Sequence, residues 1–307
     1  MTSVLIVGAG AVGAFFGSAL ARQGAAVSVV CRSDYESVSR SGYEIRSNLL
    51  GDHTFVPAGV FQTPQQAGSD YDYVVLATKV LADTNRVALL EPALRTGSAI
   101  VLIQNGVDIE GEIAAAFPKN ELISGIAFIA VSRTAPGKVH HQSEGSLTLG
   151  RFPSGTTPAV EQLASLFNAS KVPCRVTPDI VTARWQKALW NATFNPISIM
   201  GGVLDTSAIL RTPDDQEFIR ETMREIAQIA SAAGHPIQEE LIDRLIRGTL
   251  AMPPYKTSMA LDYERGRAME VEAILGNVVR TARRLGVRAE KLETIFRIAK
   301  MIEGARS

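Results

Sequence analysis

The hydrophobic pattern changes in character about halfway along the chain. Before residue 177, short runs rich in Val, Ile and Leu alternate with polar loops, which is typical of buried strands in an α/β sheet. These runs are SVLIV, AVSVVCR, YDYVVLATK, SAIVLIQNGVD and ELISGIAFIAV. The segment GKVHHQSEGSLTLGRF then predicts a hairpin-like pair of strands, and VPCRV predicts a last strand. The pattern therefore predicts an α/β domain over residues 1–177.

From Pro178 onward the apolar residues follow helical spacing instead. Thr177 is a candidate cap for the first helix, with Pro178 at its first helical position. Pro196 should bend or break that helix, which should end by the glycine pair 201–202. Further helices are expected around residues 214–233, 237–251, 259–285 and 289–303. The pattern thus predicts an all-helical domain over residues 178–307.

A glycine-rich turn joins the first strand to the first predicted helix, which should stop at Gly24. In the Rossmann fold, the first glycine of such a turn permits the tight bend, the second lets the backbone approach a pyrophosphate, and the third allows close helix-to-strand packing. The helix N-terminus then faces the phosphate charge. We therefore predict a Rossmann-type domain whose dinucleotide-binding turn contains Gly8, Gly10, Ala11, Val12 and Gly13.

The end of the second strand is where such a fold chooses between NAD and NADP. It reads Cys31, Arg32, Ser33. An acidic residue here would bind an unmodified ribose, whereas Arg32 can bind a 2′-phosphate, which favours NADPH. Asp34 would argue for NAD, but it lies two positions late and could equally begin the next turn. The alternative for Arg32 is a solvated surface arginine.

Two polar residues follow later strands. Lys79 and Asn105 lie just past the carboxyl ends of two predicted strands, where open α/β sheets bind their ligands. Lys79 is a candidate second cation near the cofactor. Asn105 is followed by Gly106, so the pair could also be an ordinary turn.

The run WQKALWNATFN, residues 185–195, places one lysine among apolar residues. On a helix, Lys187, Asn191 and Asn195 are four apart and share one face. The simpler interpretation is that they form, with Arg184 and Ser198, the solvated side of an amphipathic helix. Residue choice argues against it, because asparagine is a poor helix former and a solvated face would more often carry Glu, Lys, Gln or Arg.

A later helical segment carries the sequence MEVEAILGNVV. Glu270 and Glu272 are two apart, so they cannot both face the same way. One of them is a candidate ligand-facing carboxylate, and the alternative is a surface partner for Arg265 or Arg267. Ser258 could likewise be only a helix cap.

Composition narrows the class of protein. The 307 residues are 46% hydrophobic and 20% charged, with 31 basic and 31 acidic side chains. A formal net charge of zero lacks the electrostatic footprint of nucleic-acid or anionic-membrane binding. The two cysteines form no CxxC motif, which fits a reducing cytoplasm, and the four histidines show no metal-ligand spacing, so we predict no metal. Residues 1–21 carry no charged side chain, but their four glycines argue against a membrane span.

The motifs GAGAVGAFFG, ATK, QNG, WQKALWNATFNP, SM.LD and MEVE..LG resemble, in order and spacing, those of the 2-dehydropantoate 2-reductase (ketopantoate reductase) family. The resemblance covers nearly the whole chain. It implies NADPH-dependent reduction of a 2-oxo acid to a 2-hydroxy acid, with 2-dehydropantoate to pantoate, a step of pantothenate biosynthesis, as the first candidate. It also implies a small-molecule substrate and is compatible with a homodimer.

The resemblance also implies residue roles. Lys187 and Glu270 would be catalytic, with Lys187 as the general acid, while Arg32 and Lys79 would hold the NADP end. The residues implied around the substrate are Asn105, Asn191, Asn195, Ser258 and Glu270, and Asn105 would also contact the cofactor.

The chain departs from this family near Glu270. Where the family reads Thr-Glu-Ile-Asp and then Asn-Gly, this chain has Met269-Glu270-Val271-Glu272 and Leu275-Gly276. Met269 and Leu275 favour a more apolar pocket, so a reductase of a different 2-oxo or 3-oxo acid is one alternative. A non-catalytic NADP-binding sensor is another, although it would need neither Lys187 nor Glu270. A β-hydroxyacid dehydrogenase shares the Rossmann domain and a helix-borne lysine, but the constellation around Glu270 argues against it.

Overall fold

The computed structural model describes residues 1–306, which cluster into two compact units. The first unit contains Met1–Lys79, Thr84–Gln104 and Glu110–Ile180. The second contains Val80–Asp83, Asn105–Ile109 and the described chain from Val181 onward. Two short segments that follow strands of the first unit therefore belong to the second.

The first unit is built on one mixed sheet. Its strands are β1 (Ser3–Val7), β2 (Ala26–Val30), β3 (Tyr43–Ser47), β4 (His53–Phe55), β5 (Gly59–Phe61), β6 (Tyr73–Leu76), β7 (Ala99–Leu102), β8 (Leu122–Ala135), β9 (Lys138–Arg151) and β10 (Cys174–Val176). Their order is β4-β3-β9-β8-β7-β6-β1-β2-β5, with β10 also paired to β9. The pairs β3–β4 and β8–β9 are antiparallel and the other pairs are parallel. The centre of the sheet is thus the parallel arrangement expected of a Rossmann fold.

Helices cover the sheet, and the side chains of β1 show how. Val4 and Ile6 belong to one buried cluster, while Leu5 and Val7 belong to another. Because successive side chains of a strand point to opposite faces, both faces of the sheet are buried. The helices of this unit are α1 (Ala11–Ala21), α2 (Tyr35–Ser41), α3 (Pro64–Ala67), α4 (Arg86–Leu90), a 3₁₀ turn (Glu91–Ala93), α5 (Gly111–Ala116) and α6 (Pro158–Ala169).

The second unit is helical. Its elements are α7 (Ile180–Met200, whose first residue is assigned to the first unit), α8 (Thr206–Ile209), α9 (Pro213–Ala232), α10 (Glu239–Ala251), α11 (Ser258–Glu264), a π-helical turn (Glu272–Gly276), α12 (Asn277–Leu285) and α13 (Glu290–Gly304). Leu189 and Phe194 of α7 are buried with Met223 and Ile226 of α9 and with Leu275. The apolar side of α7 therefore lies in the core of this unit.

One strand prediction was wrong in its pairing. Residues 138–151 form the single strand β9 rather than a hairpin, and the hairpin partner is β8. The chain turns at Pro136 and Gly137, between β8 and β9, and not in the middle of the segment. Glu144 and Gly145 have positive φ angles, and the register of β9 against β8 shifts at this point. The two residues therefore form a β-bulge and not a turn.

The helical predictions also need correction. Helix α7 begins at Ile180, and it runs unbroken through Pro196 to Met200. Proline removes one backbone donor, and a buried helix packed on its neighbours tolerates that loss. The helix expected over 259–285 is interrupted, since Gly266 adopts a left-handed conformation (φ 63°) and ends α11.

Candidate active site

The glycine-rich turn has a distinct geometry at each glycine. Gly8 has φ 90°, and a Cβ there would lie 2.5 Å from Cγ2 of Thr78. A Cβ on Gly13 would lie 2.8 Å from the carbonyl oxygen of Gly8 and 2.9 Å from Ile6. A Cβ on Gly10 would meet nothing within 4 Å. Gly8 thus serves the tight bend and Gly13 the close packing, while Gly10 leaves open space beside the helix.

The same turn presents backbone donors. The amides of Gly8 and Ala9 donate to the carbonyl of Val30 at 3.1 and 3.0 Å, which ties the turn to the end of β2. The first hydrogen bond of α1 runs from Ala14 N to Gly10 O. The amides of the half-buried residues Ala11 and Val12 precede that bond and lie at the positive end of the helix. The turn therefore fits the pyrophosphate of a dinucleotide.

Cations also follow the strands of the first unit. Arg32 is exposed and lies two residues after the end of β2. This is the position that the predicted 2′-phosphate ligand occupies in such a fold. Lys79 is half-buried three residues after β6. Asp34 is buried, with its carboxylate bonded to Arg133. The acidic residue that would argue for NAD is thus engaged within the protein.

The polar stripe of α7 is not a solvated face. Arg184 is 4% exposed and Asn195 is 1% exposed, and Ser198 is fully buried. Lys187 and Asn191 are half-buried. The simpler interpretation of this stripe as the solvent-exposed face of an amphipathic helix is therefore wrong.

Lys187 is held by Asn105. Its Nζ donates to Asn105 Oδ1 at 2.6 Å. Burial, assisted by the nearby positive charge of Arg184, lowers the pKa of Lys187 to about 7, and the negative charge of Glu270 opposes this shift. The ammonium can thus release a proton near neutral pH, unlike an ordinary lysine. A small cavity here is lined by Gly106, Val107, Arg184, Lys187, Ala188, Asn191 and Ile274.

The segment that carries Asn105 is held on several sides within its unit. Arg184 Nη1 donates to the carbonyl oxygen of Gly106 at 3.1 Å. Val107 N donates to Ala273 O at 3.1 Å. Gly106 has φ 118°, and a Cβ there would lie 2.6 Å from Ala273 O, so this approach requires glycine.

Glu270 and Ser258 are positioned by backbone and side-chain contacts. Glu270 is half-buried, and its Oε1 accepts from Val80 N at 2.9 Å. Asn195 Oδ1 accepts from the exposed Ser258 Oγ and from Met259 N, both at 3.2 Å. The cap of α11 is Thr257 and not Ser258. Ser258 is therefore presented at the start of the helix without capping it.

The residues that depart from the family pattern have two kinds of surroundings. Met269 and Leu275 are buried in the helical core, as is Ile274, which also lines the cavity. Glu272 pairs with Arg280 at 2.6 Å and with Lys300 at 3.0 Å. The effect of Met269 and Leu275 on the polarity of the pocket stays a prediction, since Ile274 belongs to the same core and still lines the cavity.

Two features of this site are not evident from the sequence pattern. Arg184 is three residues before Lys187 and so shares its face of α7, but helical spacing does not distinguish a buried arginine from a solvated one. The π-helical turn at residues 272–276 has no signal in the sequence, yet its Ala273 carbonyl holds Val107.

Among residues 1–306, no cluster of three His, Cys, Asp or Glu side chains is arranged to hold a metal ion. Within the same residues, no helix has the length and apolar character that crossing a membrane requires.

Comparison with known proteins gives one consistent family. Residues 4–154 match the family described as Ketopantoate reductase PanE/ApbA, and residues 179–303 match Ketopantoate reductase PanE/ApbA C terminal. The crystal structure of 2-dehydropantoate 2-reductase from Methylococcus capsulatus is 47% identical, with a TM-score of 0.94 over 99% of this chain and 98% of that one. The structure of the corresponding protein from Geobacter metallireducens is 32% identical, with a TM-score of 0.92 over 97% and 99%. The 2-dehydropantoate 2-reductase of Nostoc sp. is 28% identical across 97% of this chain and 94% of its own length.

Proposed function

Because the chain belongs to the ketopantoate reductase family, we propose that it reduces 2-dehydropantoate (ketopantoate) to pantoate with NADPH, as a step of pantothenate biosynthesis. The observation that carries this proposal is the contact between Lys187 Nζ and Asn105 Oδ1, made by a lysine whose pKa is about 7. A general acid works best when its pKa lies near the operating pH. The two unpaired thiols suit a cytoplasmic setting.

The first unit supplies residues that fit NADPH. The amides of the turn at residues 8–13 would bind the pyrophosphate, with Gly10 leaving room for its approach. Arg32 would bind the 2′-phosphate, and Lys79 would add a second cation. When bound, the reduced nicotinamide supplies the hydride that C2 of the substrate accepts.

Lys187 supplies the proton in this proposal. Its ammonium stabilises the negative charge that develops on the C2 oxygen and donates a proton from Nζ to that oxygen. Asn105 directs the ammonium through the 2.6 Å contact. Asn191 lines the same cavity and would bind the substrate, as would Ser258, which Asn195 holds in place.

Glu270 would select the substrate. Ketopantoate carries a hydroxyl on C4, and a carboxylate is a good acceptor for it. The bond from Val80 N holds Oε1 of Glu270, which fixes the direction of the carboxylate. Met269 and Leu275 lie in the helical core and are not among the residues that line the small cavity beside Lys187, so ketopantoate is the first candidate and a less polar 2-oxo acid is the alternative.

The test is NADPH oxidation by the purified protein with ketopantoate, 2-oxoisovalerate, 2-oxoisocaproate and phenylpyruvate. We expect kcat/KM for ketopantoate to exceed that for 2-oxoisovalerate, which lacks the hydroxyl, by about 10- to 100-fold, because a lost hydrogen bond to a charged group costs about 1.5–3 kcal/mol. Equal values for these two acids would contradict the role of Glu270. Tight NADPH binding without oxidation by any acid would instead favour a non-catalytic sensor.

A further inference from the structure

The end of strand β2 carries two charged residues, Arg32 and Asp34, that favour different cofactors. After Val30 the chain reads Cys31-Arg32-Ser33-Asp34, and Asp34 is the N-cap residue of α2. A carboxylate available at this place would accept hydrogen bonds from an unmodified ribose and would repel a 2′-phosphate. Arg32 favours NADPH, whereas a free Asp34 would favour NADH.

The structure gives the Asp34 carboxylate other partners. Its side chain is 2% exposed. Oδ1 accepts from Arg133 Nη1 and, at 3.1 Å, from Ser33 Oγ. Oδ2 accepts from Gly137 N at 3.3 Å. Both carboxylate oxygens are thus engaged, and two of the partners, Arg133 and Gly137, come from the β8–β9 hairpin.

Arg133 also brings a positive charge to this end of the strand. It lies near the end of β8, and its side chain is 36% exposed, so the guanidinium is not sealed in the core. The same Nη1 that binds Asp34 donates to Ser33 Oγ at 2.5 Å. With Arg133 in place, this strand end carries two positive charges and one negative charge. Without Arg133, the charges of Arg32 and Asp34 would cancel.

We propose that Arg133 is a cofactor-specificity residue that acts through Asp34: it holds the carboxylate against the β8–β9 hairpin and leaves a positive strand end for the 2′-phosphate. This inference rests on the proposed use of a nicotinamide dinucleotide. Arg133 is thereby a positioning residue, and the discrimination between NADPH and NADH depends on whether Asp34 is restrained.

The test measures binding and not turnover. The dissociation constants of NADPH and NADH are determined by fluorescence titration for the wild type, Arg133→Met, Arg133→Lys and the double variant Arg133→Met/Asp34→Asn. We expect Arg133→Met to weaken NADPH at least about tenfold and NADH less than about threefold, because the freed carboxylate repels only the phosphate. Removing that carboxylate in the double variant should restore NADPH affinity to within about threefold of the wild type. Arg133→Lys, which keeps the charge, should retain the preference.

Equal weakening of NADPH and NADH by Arg133→Met would overturn the proposal, because it would show a purely structural role. Absence of recovery in the double variant would also overturn it. Should Arg133→Met fail to fold, since it leaves a buried carboxylate unpaired, the double variant decides alone: it must fold and prefer NADPH. A wild type that binds neither nucleotide would overturn the proposed function and this inference with it, whereas an unchanged preference in Arg133→Met would overturn the inference only.

Discussion

The chemistry proposed for this site depends on the environment of a single ammonium group. Burial and the charge of Arg184 both disfavour the protonated form of Lys187, and Glu270 favours it, so the pKa comes to about 7. An ammonium with this pKa can donate a proton in one step and recover it from solvent in the next at neutral pH. An ordinary lysine, with a pKa near 10.4, would be a weaker acid and would donate its proton less readily.

Arg184 should therefore set the pH range of the reaction. Replacing it with Met removes a positive charge beside Lys187, so the pKa of Lys187 should rise, although burial, the larger cause, still holds it below the ordinary value. Because the protonated lysine is the active form, the rate is full below this pKa and falls above it. The falling limb of the kcat profile should thus move to higher pH, as measured from pH 6 to 10.

Arg184→Lys is the matched control, since it keeps the positive charge while losing the fork that binds the Gly106 carbonyl. Its falling limb should stay near that of the wild type. A limb that stays in place in Arg184→Met would show that the charge of Arg184 does not control Lys187.

At the scale of elements, the site depends on irregular segments as well as on the regular helix α7. The segment 105–109 is held by Arg184 of α7 and by the π-helical turn, whose Ala273 carbonyl accepts from Val107. A π-helical turn displaces carbonyls from the regular α-helical ladder, which leaves such an oxygen able to accept from another segment. The position of Asn105, and through it that of Lys187, is thus fixed by backbone that no periodicity predicts.

The start of α11 provides a prediction at the same scale. Asn195→Ala would remove the acceptor of the buried Met259 N and of Ser258 Oγ. We expect the free energy of unfolding to fall by about 1–3 kcal/mol, the cost of an unsatisfied buried donor, and KM for the 2-oxo acid to rise. Chemical denaturation and steady-state kinetics measure the two effects.

Ser258→Ala separates these effects. Because Ser258 is exposed and does not cap the helix, its loss should raise KM while leaving the stability within about 0.5 kcal/mol of the wild type. If Ser258→Ala destabilised the protein as much as Asn195→Ala, the contact with Met259 N would not be what holds the helix start.

For the whole molecule, sequence patterns predicted the class of fold well and its irregular parts poorly. The strands at the centre of the sheet and the turn at Gly8 were predictable because buried parallel strands are continuous apolar runs. Strands β3, β4 and β5 were missed, since they are short or half-buried and lack such runs. The start of α7 was predicted two residues early, and the sequence left open whether Pro196 bends or breaks the helix, because proline is a local signal and the packing that tolerates it is not.

Some residues of the candidate site could be predicted from the sequence and others could not. Lys187, Asn191 and Asn195 could be grouped because their spacing is helical, and Glu270 could be chosen by resemblance. The burial of Arg184 and the engagement of Asp34 by Arg133 could not, since both depend on contacts between residues distant in sequence. For the same reason, the sequence alone left Asp34 as an argument for NAD.

The central claim is that Lys187 donates the proton, and single-turnover reduction of ketopantoate with saturating NADPH tests it most directly. Measured from pH 5.5 to 9, the wild-type rate should fall about tenfold per unit above pH 7, as the ammonium is lost. Lys187→Ala should bind NADPH normally, react about 10²–10⁴-fold more slowly and show no such fall. A Lys187→Ala rate within about threefold of the wild type, or one that keeps the wild-type pH dependence, would contradict the account.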